Sequence, residues 1–158
     1  MFVSQPQRFT YRSRLSVPAL RAVADEFVAR QGGPQQPGAY VASWLSATVL
    51  EATPREVPRA LRYAGKQRAT LELPLAAGDA RVNLTIYPAS LLSTLFYGIL
   101  VGGAYAGFSC LQEGHWLHVG LSVSFVALAT GSLRIIQQAS TKLLRQDLEQ
   151  HFQLNALG

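Results

Sequence analysis

The side chains best suited to chemistry in this chain are few and poorly placed for it. His115 and His118 stand three residues apart, a spacing that sets two imidazoles on one helix face, as in a pair of metal ligands. No carboxylate or thiol at matched spacing accompanies them, so the pair reads as interfacial and no metal site is expected. Arg55, Arg59 and Arg62 recur at i, i+4 and i+7. Such a row suits phosphate or lipid headgroups, although it is more often simply the solvated face of a helix. Gly32-Gly33 lacks the Lys-Ser/Thr of a phosphate-binding loop and does not open a helix after a strand. Asn83-Leu84-Thr85 matches a glycosylation acceptor by chance, given the place expected for it below.

Residues 1–87 hold neither histidine nor cysteine, and their acids, Asp25, Glu26, Glu51, Glu56, Glu72 and Asp79, are scattered. The single cysteine, Cys110, can form no internal disulfide and no cysteine-built metal site. No catalytic residue and no cofactor is therefore expected, and the chain is not expected to be an enzyme. An anchored enzyme would require the segment 40–50 and the arginine row to enclose a pocket.

The elements that must carry these residues are dominated by two uncharged runs. No charged residue occurs from Val82 to Gln112, and only His115 and His118 interrupt the run from Gly114 to Leu133. Each run supplies about 20 apolar residues, enough at about 1.5 Å per residue for a hydrocarbon core of roughly 30 Å. The expected fold class is a membrane protein. A two-helix transmembrane hairpin joins a small N-terminal cytoplasmic α+β head to a C-terminal amphipathic helix. The expected divisions are a head over 1–87, spans over 88–111 and 116–133, an outer tip over 112–115, and the amphipathic helix over 134–158.

Charge sets the expected orientation. Residues 1–87 hold eleven of the fourteen Lys/Arg against six acids, the tail from Arg134 holds three bases against two acids, and the connector holds only Glu113. Basic flanks stay inside, so both termini are expected in the cytoplasm and the hairpin in the cell inner membrane. The sequence pI near 9.8 then reflects attraction to anionic headgroups, worth about 1 kcal/mol per nearby base; no nucleic acid is expected. The first 30 residues contain no apolar signal-peptide core, so the first span is expected to act as its own insertion signal. Tyr87 and Trp116 stand as aromatic anchors at the two boundaries.

Within the head, Arg8 to Leu15 reads as a strand. Ser16 and Pro18 open a helix whose Val17, Leu20, Val23, Ala24, Phe27 and Val28 repeat at helical spacing, and Gly32-Gly33-Pro34 stops it. Tyr40 to Leu50 fits helix or strand. Thr53-Pro54-Arg55-Glu56 reads as a helix start, with Val57, Ala60, Leu61 and Ala64 inward and Gly65 at the end. Ala69–Leu75 and Ala80–Tyr87 alternate as a hairpin. Beyond Leu133, Ile136, Leu143, Leu144, Leu148 and Phe152 keep helical spacing, either continuing the second span or lying against the head or the interface.

Small residues form a stripe on each span: Gly98, Gly102 and Ala106 on the first, and Gly120, Ser124, Ala127 and Gly131 on the second. Such stripes mark where helices meet in lipid. Either the two stripes face each other within the hairpin, or one packs against another chain. His118 with Ser122 is the candidate polar site within the spans. The expected role is a small membrane subunit or scaffold, with lipids and copies of itself or other membrane subunits as partners. The alternative is a homo-oligomeric channel lined by the hairpins.

Overall fold

The computed structural model describes residues 5–31, 38–56, 65–74 and 81–156. The chain begins with β1 (Gln7–Ser13) and α1 (Val17–Gln31), followed by β2 (Tyr40–Trp44), β3 (Val49–Pro54), β4 (Arg68–Glu72) and β5 (Arg81–Tyr87). Then come α2 (Ser90–Gln112), α3 (Trp116–His151) and a short β6 (Leu154–Ala156). The strands form one antiparallel sheet in the order β2-β3-β4-β5-β1-β6. Both the first strand and the last lie in it, so the chain leaves the head through α2 and returns through α3.

Local chemistry explains most of these elements. Ser16 accepts the first helical bond of α1, from Leu20 N at 2.8 Å, and Pro18 sits in the first turn, where a missing N–H costs nothing. The segment 40–50 is two strands. The Ser46 hydroxyl accepts from the backbone N–H of Thr48 and Val49 at 3.3 and 3.2 Å, which builds a tight turn, and the flanking β-branched Val41 and Val49 suit the pleat. Thr53 and Pro54 end β3, opposite Val41 and Tyr40, rather than opening a helix. The ladder extends past Pro54 through Arg55 N to Ala39 O at 2.8 Å, so sheet pairing outcompetes the capping signal. The helix expected over 57–64 lies outside the described residues.

One face of the sheet carries the core. Tyr11, Leu50, Leu71, Val82, Leu84 and Ile86 are buried on it, under Leu20, Ala24 and Phe27 of α1 and Leu144 and Leu148 of α3, with Phe152 just beyond α3. Phe27 is central, with ring centroids 5.3 Å from Phe152 and 5.7 Å from Tyr40. α1 is also tied to β2 at its outer edge. Trp44 Nε1 donates to Asp25 at 3.1 Å, and the Arg21 guanidinium lies 4.0 Å over the indole.

α2 and α3 are both long and apolar enough to cross a membrane, and only 6% of each apolar window is buried within the chain. At 23 residues, α2 is about 35 Å long. It ends in a Schellman turn: His115 N donates to Cys110 O at 2.9 Å and Gly114 N to Leu111 O at 3.2 Å. Gly114 takes the left-handed φ of 75° that this turn requires. The two helices touch at Gly103, where any Cβ would overlap the Val126 methyl. Nearer the head, Leu92 and Leu133 are buried together with Phe96 and Ile99 beside them.

α3 is continuous from the hairpin tip into the head's core. Its buried positions are Leu133, Gln137, Ser140, Thr141, Leu144 and Leu148. Leu143, expected to face inward, is 50% exposed. Leu148→Ala should cost the head about 2–5 kcal/mol, the range for emptying a fully buried leucine site, read from denaturant unfolding by Trp44 fluorescence. Gly103→Leu should splay the hairpin while Gly102→Leu leaves it closed. Distances between spin labels on α2 and α3 measure the difference, and equal splaying in both variants would contradict this packing.

Candidate functional site

The residues singled out from sequence fall in three separate places. At the hairpin tip, His115 and His118 meet edge to face with centroids 5.5 Å apart, and Glu113 lies 3.8 Å from His115. All three are exposed. No cluster of three metal-ligating side chains occurs among the described residues. Ser122, one turn further along α3, is partly buried.

The small-residue stripes do not face each other. A Cβ built at Gly98, Gly102, Gly120 or Gly131 meets nothing within 4 Å, and Ala106, Ser124 and Ala127 are exposed. The close backbone approach between the helices falls on Gly103 instead. Several hydroxyls along the hairpin bond their own helix. Thr94 donates to Ser90 O at 3.0 Å, Thr130 to Val126 O at 2.7 Å and Ser132 to Leu128 O at 2.8 Å. Those groups are satisfied without a polar neighbour across the helix.

Of the arginine row, Arg59 and Arg62 lie outside the described residues. Arg55 points into the head: its Nε donates to Tyr40 O at 3.0 Å and its Nη2 to Gln31 O at 3.4 Å. It thereby fastens the end of α1 to β2. Gln31 completes the joint, accepting from Tyr40 N at 3.0 Å.

Sequence reasoning missed the most structured polar region, where β2 and β3 meet the head portion of α3. The Tyr40 hydroxyl donates to Asp147, which also lies 3.9 Å from His151. Gln67, only 1% exposed, donates through Nε2 to the Thr141 hydroxyl at 3.2 Å, and its Oε1 has no partner among the described residues. Leaving such a group unmet costs about 1–3 kcal/mol. Beside these residues lies a cavity of about 290 Å³ between Ala39, Tyr40 and Pro54 on one side and Ser140, Leu143 and Leu144 on the other. Glu56 and Asp147 stand in its wall, and Gln67 lines it. The signal available in the sequence was the run Gln137, Ser140, Thr141 on the inward stripe of an otherwise amphipathic helix.

A second polar group lies under β1. Arg145 Nε donates to Glu149 at 2.6 Å, and its guanidinium lies 4.6 Å from the Phe9 ring and 5.6 Å from the Tyr11 ring. The Glu149 hydrogen bond is the main reason the Arg145 pKa is raised. Tyr11 is fully buried and its hydroxyl has no partner among the described residues. Burial first, and then the neighbouring Glu149, push its pKa well above the ordinary tyrosine value. For Tyr40 the causes are burial and then the hydrogen bond to Asp147.

With this geometry in hand, no protein-family model, curated protein or solved structure matches the chain.

Both phenols are raised above their unfolded value of about 10. The stability they contribute is thus fully present below about pH 10 and is lost as the pH rises toward their folded values. An alkaline absorbance titration should show two phenols ionising only together with loss of the head's ellipticity, and Tyr40→Phe and Tyr11→Phe should each remove one of them. A variant that instead removes a phenol titrating in the folded protein would contradict the burial argument.

Proposed function

We propose that this chain is a non-catalytic membrane subunit or scaffold. Its hairpin lies in the inner membrane, and its head sits at the cytoplasmic surface with both termini on that side. The observation that carries the reading is the hairpin's outer surface. Leu95, Val101, Tyr105 and Phe108 on α2, with Leu117, Leu121, Phe125 and Leu128 on α3, are all exposed. A contiguous apolar surface of this extent is not tolerated in water. Lys66, Arg68 and Arg134 are exposed toward the head end of the hairpin, whereas the tip offers only Glu113 and the two histidines. That contrast supports the orientation through the positive-inside bias. Arg68 also lies 4.9 Å over Tyr87, at the base of α2.

Within the bilayer, van der Waals packing is the main force between helices, and it is strongest where backbones approach closely. Gly98, Gly102 and Gly120 leave the backbone open on the outside, so the packing partner is another helix, from a second copy or from a different membrane subunit. A channel lined by the same hairpins is less well supported, because Thr94, Thr130 and Ser132 are turned onto their own backbones. A docking role for the basic head belongs to the same proposal.

Native mass spectrometry of the full chain released from lipid nanodiscs tests it. The expected result is a complex of fixed composition that Gly102→Leu reduces to a single chain without changing the helical content. A chain that fractionates as a soluble protein, or remains single throughout, overturns it.

A further inference from the structure

We infer that the cavity between the β2–β3 edge of the sheet and α3 is a binding site for a small amphipathic alcohol. Three observations converge on that chemistry. Its volume, about 290 Å³, is near the lower end of small-molecule pockets, which run from about 300 to 1,000 Å³. Its wall is mainly apolar, with Leu143 and Leu144 of α3 facing Pro54 and the Tyr40 ring. Gln67, buried and lining it, has a carboxamide that, among the described residues, is met at only one of its two polar ends, by Thr141.

The polar groups narrow the ligand's head. Turning the Gln67 amide over would exchange its oxygen and nitrogen, so the unmatched end requires either a donor or an acceptor. A hydroxyl supplies both. The Glu56 and Asp147 carboxylates in the wall repel a carboxylic acid or a phosphate. An alkane leaves Gln67 unmet. A hydroxyl-bearing head on a short apolar body is the chemistry that meets all three conditions.

The site also has an approach. Ser140 lies seven residues beyond Leu133 on the same helix, which is about 10 Å along its axis. Ile136, one turn before Ser140 and only partly buried, offers apolar surface between the two, and Leu143, half exposed, lines the cavity. A lipid-soluble alcohol can reach the site from the bilayer edge. This route rests on the membrane reading of the hairpin; the site itself rests on its lining.

The test is photolabelling of the full chain in phosphatidylcholine nanodiscs with a diazirine-bearing decanol, beside the corresponding acid and alkane. The expected result is labelling by the alcohol on the α3 segment around Ser140–Asp147, competed by unlabelled decanol and weak with the acid. Leu143→Trp, a change at a half-exposed position that leaves the core alone, should abolish it, as should Ser140→Phe. Gln67→Met should lower labelling by the alcohol about three- to tenfold, the effect of one hydrogen bond, and leave alkane labelling unchanged. Equal labelling by all three probes, labelling confined to residues 90–133, or labelling that survives Leu143→Trp overturns the assignment. Circular dichroism melting of each variant separates loss of the site from loss of the fold, and a chain that proves monomeric still gives the same reading of the cavity.

Discussion

A single helix runs without a break from the hairpin tip to the core of the head, and the rest of the structure depends on it. A helix satisfies its own backbone hydrogen bonds, so α3 can pass from one environment to another without a cap or a turn at the boundary. Continuity also couples the two ends. Val126, which packs on Gly103, and Leu144, which packs under the sheet, lie about five helical turns apart and so on one face. The rotation that closes the hairpin is therefore the rotation that fills the core. A one-residue shift at either end would turn both faces away from their partners.

That shared face changes character along its length. Leu133 is apolar, Gln137, Ser140 and Thr141 are polar and buried, and Leu144 and Leu148 are apolar again. Buried polar groups need partners, and here one comes from the segment just before β4, where Gln67 meets Thr141. The joint where α1 ends, β2 begins and β3 ends is closed by Tyr40, Arg55 and Gln31, and Asp147 ties it to α3. Four elements distant in sequence are thus tied together around the polar part of one helix. The cavity lies there because side chains chosen for hydrogen bonding fill space less completely than Leu144 and Leu148 do.

How much of this was legible in the sequence depends on the range of the interaction. The two long helices were readable from the uncharged runs alone, and the turn between them from Glu113, the one charge in the connector. α1 was readable from the period of Leu20, Ala24 and Phe27, and the β4–β5 hairpin from alternation. Those are local signals. Thr53-Pro54 misled because a capping motif carries no information about Tyr40 and Val41 across the sheet, whose pairing decided the outcome. β6 was invisible, since three residues set no period and Leu154 is held by β1 and the core. Which way the Gly98–Gly102 stripe faces was not legible, because helix rotation is set by tertiary contacts such as Gly103 on Val126 and Leu92 on Leu133. The polar joint of Tyr40, Gln67 and Asp147 spans more than 100 positions of chain, so no spacing rule could have assembled it.

The same geometry weighs on the choice between a scaffold and a pore. A pore needs polar groups that turn toward a common axis and stay free to replace water around a solute. Along this hairpin Thr94, Thr130 and Ser132 are already committed to carbonyls one turn back, and apart from Ser124 the open small-residue strips are glycine and alanine. Open glycine strips favour close helix approach, and close approach excludes the lumen a pore would require. The polar capacity of the chain is concentrated instead at the other end of α3, in the head. There a buried amide and two carboxylates face an apolar cavity. On the proposed reading, the hairpin holds a position among helices and the head presents a small, selective surface from that position.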